Sequence, residues 1–266
     1  MRIQDLGDLA GPVLVFGGPY SNLQATEALI ARCDALGIPP ERVICTGDVV
    51  AYYAGGAGCV EAVRDFGCAV VAGNCEKQLA EGAADCGCGF EEGSACDRLA
   101  AEWYAYSNTR LSQADRDWMA GLPDLVTFRL AGRRYAVIHG GLRDVARFIW
   151  PVSSEAVFAE EVEAINDVVG PVDAVVSGHS GLAFAHDVAG VSWINAGVIG
   201  MPPHDGRRET RFAMLGEQGV LFERLSYDVD GAVHAMQTAG LSDAYARALR
   251  SGIWPSEDVL PVELRR

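Results

Sequence analysis

Four polar side chains in this sequence stand at the ends of short apolar runs, each next to a glycine. They are an aspartate, an asparagine and two histidines: Asp48, Asn74, His139 and His179. Runs rich in valine and isoleucine that stop at such residues predict buried strands. Open α/β sheets bind their ligands at the carboxyl ends of these strands. The spacing therefore predicts one ligand site at a sheet edge, with Asp48 as its first residue.

Each of these residues also has a purely structural interpretation. A lone histidine at a strand end is often a partly buried side chain with its hydrogen bonds satisfied. Asn74 after Gly73 is also typical of a plain turn, and Asp48 is also typical of a cap. Taken one at a time, the residues leave both interpretations open.

The first half of the chain alternates strands with helices. Ser21, with Gln24 three residues further on, has the form of a capping box. The predicted order is a strand at 13–16, a helix from Ser21 to Gly37, the strand before Asp48, a helix at about 58–66 and a strand at 69–72. Three strand–helix units in succession predict a parallel sheet.

The second half has a different pattern. A segment at about 77–122, with a cysteine-rich loop and two helices, is predicted to be an insertion or cap over the sheet edge. Beyond it follow a hairpin around 131–134, a helix at 154–169, and short strands at 191–194, 212–215 and 220–225. This half is predicted to be largely antiparallel and to end in a helical tail at about 228–266. The whole chain is predicted to be one α/β domain with two sheets and external helices.

The composition limits the class of protein. With 266 residues, of which 50% are hydrophobic, the chain can fill a sizeable core, and its net charge is −15. That charge disfavours bulk nucleic acid as a partner, whereas a site that holds a cation can accept a small phosphorylated substrate. No apolar run approaches the roughly 18 residues of a membrane span. We therefore expect no membrane contact and a cytoplasmic location.

The eight cysteines do not have the arrangement of a secreted disulfide framework. Four lie in apolar runs and are predicted to be core thiols: Cys33, Cys45, Cys59 and Cys68. Cys86, Cys88 and Cys96 belong to a polar, glycine-rich loop whose spacing fits structural zinc poorly. Packed free thiols, a metal or disulfide staple, and a redox role remain open for this loop.

Ordered motifs extend the pattern beyond the four strand ends. They are Asn22-Leu23, Gly47-Asp48-Val49-Val50, Gly73-Asn74-Cys75-Glu76, His139-Gly140-Gly141, Gly178-His179-Ser180 and Asn195-Ala196-Gly197. Over about residues 12–225 the chain resembles the calcineurin-like metallophosphoesterases, especially their small bacterial phosphodiesterase branch. The resemblance implies a four-layer α/β/β/α sandwich with two mixed sheets and divalent metal ions at the carboxyl ends of the strands.

The resemblance implies two ion sites, of which this sequence retains one. Its ligands match Asp48, Asn74, His139 and His179. The other site is depleted, because Gly18, Tyr20 and Gly181 stand where the family has an aspartate, a histidine and a last histidine. One carboxylate, one amide and two imidazoles suit a single Mn, Fe or Zn ion. A second ion, recruited by the substrate, is the alternative.

The resemblance also suggests residues for catalysis and substrate binding. Cys75 is a candidate acid or nucleophile if a neighbouring cation lowers its pKa, and Arg143 is a candidate phosphate contact. The candidate substrate contacts are Tyr20, Asn22, His204 and Arg207. The predicted function is hydrolysis of a phosphomonoester or phosphodiester by a metal-activated water. The alternative is a catalytically degenerate member that binds a metal or nucleotide as a sensor or scaffold, and the oligomeric state stays open.

Overall fold

The computed structural model describes residues 1–266 as eleven strands and eight α-helices. The strands are β1 Ile3–Leu9, β2 Val13–Phe16, β3 Val43–Cys45, β4 Ala69–Val70, β5 Leu125–Leu130, β6 Arg133–Val137, β7 Ala174–Ser177, β8 Ala183–Val188, β9 Val191–Ala196, β10 Thr210–Gly216 and β11 Gly219–Leu225. The helices are α1 Leu23–Leu36, α2 Gly56–Phe66, α3 Asn74–Glu81, α4 Ala95–Asn108, α5 Gln113–Gly121, α6 Glu155–Val169, α7 Val229–Ala239 and α8 Asp243–Ser251. None of these helices combines the length and apolar character that a membrane crossing requires.

The strands form two mixed sheets. The five-stranded sheet has the order β11-β10-β2-β3-β4, and the predicted parallel pairing of β2, β3 and β4 is confirmed. The six-stranded sheet has the order β1-β5-β6-β7-β9-β8. The pairs β5–β6, β8–β9 and β10–β11 are antiparallel, as predicted for the second half. The inner strands β6, β7 and β9 of the six-stranded sheet are parallel and depart from that prediction. The reason is the edge strand β8, which the prediction lacks. Because β8 pairs antiparallel with β9, the strand β9 runs in the same direction as β7 and pairs with it.

Three apolar clusters show how the layers stack. One cluster, with Val15 and Ile44 from one sheet and Phe128 and Val176 from the other, fills the space between the sheets. The largest cluster joins the outer face of the five-stranded sheet to α1, α2, α4, α7 and α8. The third packs α6, through Phe158, on the outer face of the six-stranded sheet. This is the predicted four-layer α/β/β/α sandwich.

Two predictions at the N-terminal end are wrong in detail. Val13–Phe16 is the second strand, because the edge strand β1 precedes it, and the mostly exposed side chains of β1 leave no apolar pattern. The cap of α1 is Asn22 rather than Ser21. The Asn22 side chain accepts the N–H of Ala25, while the Ser21 hydroxyl accepts the N–H of Ala51 from a different loop.

The predicted hairpin before His139 is confirmed. Strands β5 and β6 pair antiparallel around the two-residue turn Ala131-Gly132, in which both residues have positive φ, and this turn type matches the twist of a hairpin. The segment at 77–122 contains α4 and α5, and Trp103 from α4 is buried in the largest apolar cluster. The helical tail consists of α7 and α8, which pack on the same sheet face.

Candidate metal centre

Two of the candidate ligands lie on backbone that is unusual for residues with side chains. Asp48 and His179 have φ values of 56° and 59°, in the left-handed region. Such conformations cost of order 1–3 kcal/mol each and are concentrated at functional sites. Gly47, before Asp48, has φ 98°, and a Cβ there would lie 2.8 Å from His139 Nδ1. The turn after β3 therefore requires glycine to bring Asp48 and His139 together.

The structure brings the four predicted metal ligands together around one atom. His139 Nε2 lies 3.3 Å from Asp48 Oδ2, 3.2 Å from Asn74 Oδ1 and 3.1 Å from His179 Nδ1. All four residues are buried. The ligand atoms of Asp48, His139 and His179 lie within 4.8 Å of one another, close enough to share one ion.

The hydrogen bonds of this cluster fit a bound cation. His139 Nδ1 lies 2.6 Å from the carbonyl oxygen of Thr46, so Nδ1 carries the proton and donates it. The neutral ring then presents the lone pair of Nε2 to the other ligand atoms, as in metal-binding histidines held by a backbone carbonyl. Asp48 Oδ1 and His179 Nε2 are buried without any hydrogen-bond partner. Buried polar atoms without a hydrogen-bond partner are costly, and a bound cation would satisfy them.

Electrostatics adjust the protonation states of the three charged or chargeable ligands. Burial opposes ionisation of Asp48, but the adjacent His139 and His179 outweigh it and lower the pKa of the carboxyl below its usual value. Burial and the nearby His139 lower the pKa of His179 to about 3, so this ring is neutral. Burial also opposes the charged form of His139, yet Asp48 and the Thr46 carbonyl together raise its pKa.

The raised pKa of His139 makes metal binding depend on pH. A proton and a metal ion compete for this ring, and the ring holds its proton more tightly than an ordinary histidine. Affinity for Mn²⁺ should therefore be greatest above the pKa of His139 and fall about tenfold per pH unit below it. Titration calorimetry at about pH 6, 7 and 8 measures this slope. An affinity that does not change over that range would contradict the assignment of His139 as a ligand.

A buried glutamate absent from the predicted site holds the Asp48 loop in place. Glu76 Oε2 accepts the N–H groups of Asp48 at 2.8 Å and Gly73 at 2.9 Å. Its Oε1 accepts those of Val49 at 2.8 Å and Val50 at 3.4 Å. Burial and the nearby Asp48 carboxylate raise the pKa of Glu76 to about 7. The signal in the sequence is a glutamate three residues after the helix cap Gly73, which is half of a capping box.

The cysteine-rich loop contacts the candidate ligand Asn74. Asn74 Nδ2 donates to the carbonyl oxygen of Cys86 at 2.9 Å and to Cys88 Sγ at 3.4 Å. Of the alternatives for this loop, the structure has a disulfide between Cys86 and Cys88, and Cys96 is a free thiol. The predicted core thiols Cys33, Cys45 and Cys59 are buried, while Cys68 is half-buried.

Aromatic rings fill the space where the sequence lacks metal ligands. A Cβ added at Gly18 would lie 2.6 Å from Tyr20 Cζ, and one added at Gly181 would lie 3.7 Å from the Tyr20 hydroxyl. The buried Tyr20 ring packs edge-on against Tyr52 at 4.6 Å, and Tyr52 stacks on Tyr245 of α8 at 5.0 Å. Burial, with the nearby Asp48, raises the pKa of Tyr20 well above 10 and keeps the phenol neutral.

The other predicted catalytic and substrate contacts divide into two groups. Cys75 is buried beside Asp48 and belongs to the site. Asn22 and His204 already use their polar atoms elsewhere, since Asn22 Nδ2 donates to the Gly200 carbonyl and His204 bonds Glu257 and the N–H of Trp254. The two arginines, Arg143 and Arg207, are exposed, and neither side chain makes a hydrogen bond to a site residue.

Comparison with known proteins supports this assignment of the fold. A protein from Methanocaldococcus jannaschii, described as uncharacterized, is 24% identical over 239 residues, covering 83% of this chain and 89% of that protein. A crystal structure of a metallophosphoesterase from Sphaerobacter thermophilus has a TM-score of 0.68 at 21% identity, covering 92% of this chain and 100% of that one. A hypothetical protein from Pyrococcus horikoshii OT3 has a TM-score of 0.74 at 14% identity, covering 91% and 99%.

These two likenesses to solved structures show the fold. A family model described as the calcineurin-like phosphoesterase superfamily domain matches residues 13–218, which include all four candidate ligands. The chain belongs to the calcineurin-like phosphoesterase superfamily.

Proposed function

We propose that the protein hydrolyses phosphate esters with one divalent ion held by Asp48, Asn74, His139 and His179. The observation that carries the proposal is the convergence of Asp48 Oδ2, Asn74 Oδ1 and His179 Nδ1 on His139 Nε2. In the same buried cluster, Asp48 Oδ1 and His179 Nε2 lack a hydrogen-bond partner. A bound Mn, Fe or Zn ion would acidify a water molecule and polarise a phosphoryl oxygen. Asp48 supplies the negative charge of the site, and the two neutral rings supply lone pairs.

The packing around Tyr20 supports a single ion rather than two. Tyr20 is buried between the two glycines that replace family ligands, and its phenol stays neutral. A neutral phenol is a poor substitute for an aspartate and two histidines as metal ligands. The centre therefore lacks the second positive ion with which two-metal phosphoesterases neutralise the charge on the leaving oxygen.

Cys75 acts in this proposal neither as a nucleophile nor as an acid. Burial and the adjacent carboxylates of Asp48 and Glu76 raise the pKa of its thiol well above the usual value. A thiol with a raised pKa stays protonated and reacts poorly as a nucleophile. The thiol lies beside Asp48, whose Oδ2 is 3.3 Å from His139 Nε2.

The charge around the centre favours phosphodiesters over phosphomonoesters. No arginine or lysine side chain makes a hydrogen bond to a site residue, and the protein as a whole carries a net charge of −15. A phosphomonoester is close to a dianion near neutral pH, whereas a phosphodiester carries one charge. A centre with one ion and no basic side chain neutralises the single charge of a phosphodiester better than the double charge of a phosphomonoester.

Turnover of two aryl phosphates tests the proposal. With added Mn²⁺ we expect the parent protein to hydrolyse bis-p-nitrophenyl phosphate at least about 100-fold faster than Asp48→Asn or His179→Ala, and faster than p-nitrophenyl phosphate. The matched controls are Asp34→Asn and His234→Ala, both exposed residues, which should keep parental rates. Equal rates in the parent and the two site variants would refute phosphoester hydrolysis at this centre.

The second candidate function is a metal-binding sensor or scaffold without turnover. The aromatic filling around Tyr20 favours it, since that filling takes the place of a second ion. Stoichiometric Mn²⁺ binding that is lost in Asp48→Asn, together with rates no higher than those of the variants, would select this candidate.

A further inference from the structure

The Cys86–Cys88 disulfide lies directly behind a metal ligand. The side-chain amide of Asn74 has two ends, and Oδ1 faces His139 Nε2 at 3.2 Å. The other end, Nδ2, donates to the Cys86 carbonyl oxygen and to Cys88 Sγ. Because the amide group is rigid and planar, whatever holds Nδ2 also fixes the direction of Oδ1.

The covalent bond between these cysteines contributes little to the stability of the whole chain. Cys86 and Cys88 are two residues apart, and the entropy that a disulfide removes from the unfolded chain grows with the length of the loop it closes. Its main effect is local, since it fixes the Cys86 carbonyl and the Cys88 sulfur relative to each other. These are two of the atoms that Asn74 Nδ2 contacts.

A reductant can approach the pair through a cavity. Both cysteines line a cavity of about 730 Å³ between their loop, α4 and the loop that carries Phe148. Phe148 also forms the wall between this cavity and the metal centre, since its ring lies 4.2 Å from the His179 ring. The disulfide therefore borders on a space large enough for a small dithiol and is one hydrogen bond away from the metal ligands.

From these contacts we infer that Cys86 and Cys88 form a redox-active pair, and that its reduction by a dithiol weakens metal binding by releasing Asn74. A thiolate of the reductant attacks one sulfur, the Cys86–Cys88 bond breaks, and a mixed disulfide forms. The second thiol of the reductant displaces the cysteine. Two electrons and two protons end on the Sγ atoms of Cys86 and Cys88, and the dithiol becomes its own disulfide. The inference rests on the metal site of the proposed function.

Thiol labelling of the parent protein tests the reduction of the disulfide, and calorimetry tests its effect on metal binding. Of the eight cysteines, six are free in the oxidised form, and four of these are buried, so the protein is labelled after unfolding in urea. Iodoacetamide should then add six labels to protein that was not treated with dithiothreitol and eight to protein that was. The reduced protein, desalted under nitrogen to remove the chelating reductant, should bind Mn²⁺ about 10-fold more weakly, as expected for a lost contact behind a metal ligand.

Variants separate this coupling from the metal site itself. The double variant Cys86→Ser, Cys88→Ser should bind Mn²⁺ with the weaker affinity and ignore the reductant, whereas the control Cys68→Ser should respond like the parent. Equal affinities of the oxidised and reduced parent, within twofold, would overturn the redox coupling alone. Eight labels on the untreated protein would also overturn it. Absence of Mn²⁺ binding in either state would instead overturn the metal site.

Discussion

Replacement of His139 by alanine is expected to weaken Mn²⁺ binding by about 100-fold and to abolish metal-dependent turnover. His139 Nε2 is the atom that Asp48, Asn74 and His179 all approach within 3.3 Å. Loss of a group that merely supports a ligand costs 10–100-fold in metal affinity, so loss of this central ligand lies at the upper end of that range. The variant also leaves the Thr46 carbonyl without its buried partner.

The control for this variant is His234→Ala, which removes an exposed histidine from α7 and leaves the centre untouched. Calorimetric titration with Mn²⁺ and elemental analysis of the purified protein measure the effect. A His139→Ala protein that binds Mn²⁺ as tightly as His234→Ala would show that the ion binds at a different site.

Replacement of Glu76 by alanine is expected to lower the free energy of unfolding by at least about 3 kcal/mol. Glu76 is fully buried, and its carboxylate is the acceptor for backbone N–H groups of Asp48, Val49 and Gly73, all within 2.9 Å. An alanine leaves these donors buried without partners, at about 1–3 kcal/mol each. The gain from removing a buried charge offsets part of this cost.

The same substitution should also weaken metal binding. Asp48 holds a left-handed backbone conformation that the Glu76 hydrogen bond stabilises, and relaxation of that turn moves the carboxylate. Urea unfolding measures the stability, with Glu81→Ala on the exposed end of α3 as the matched control, expected within about 0.5 kcal/mol of the parent. If Glu76→Ala and Glu81→Ala unfold at the same urea concentration, the structural role of Glu76 is wrong.

The strands that carry the ligands could be predicted from the sequence, because burial on both faces leaves a visible apolar run. Val43–Cys45 and Ala174–Ser177 are fully buried, and both runs predict the strand ends at Asp48 and His179. Edge strands lack this signal. β1 is mostly exposed and β8 alternates irregularly, so neither could be found from hydrophobic pattern, and the parallel pairing of β7 with β9 could not be predicted without β8.

The hydrogen-bond partners of the candidate site residues could not be predicted, because they come from distant parts of the chain. The Asn22 side chain bonds the carbonyl of Gly200, which lies 178 residues away, so its sequence neighbours give no sign that its amide is already used. The sequence suggests His204 as an anion contact, but its hydrogen-bond partners Glu257 and Trp254 come from the segment after α8. Motif order identifies residues that meet at strand ends, whereas it contains no information about which side chains fill the space around them.

The aromatic filling around Tyr20 restricts how this protein can evolve. A carboxylate at position 18 would bring a Cβ within 2.7 Å of both the Tyr20 ring and Val198 Cγ1, at a residue with φ 39°. A histidine at position 181 would meet Trp254 at 3.4 Å, at a residue with φ 76°. Each single reversion therefore costs stability before it creates a usable ligand. A metal ligand at either position therefore requires changes in the surrounding aromatic residues as well as the single substitution.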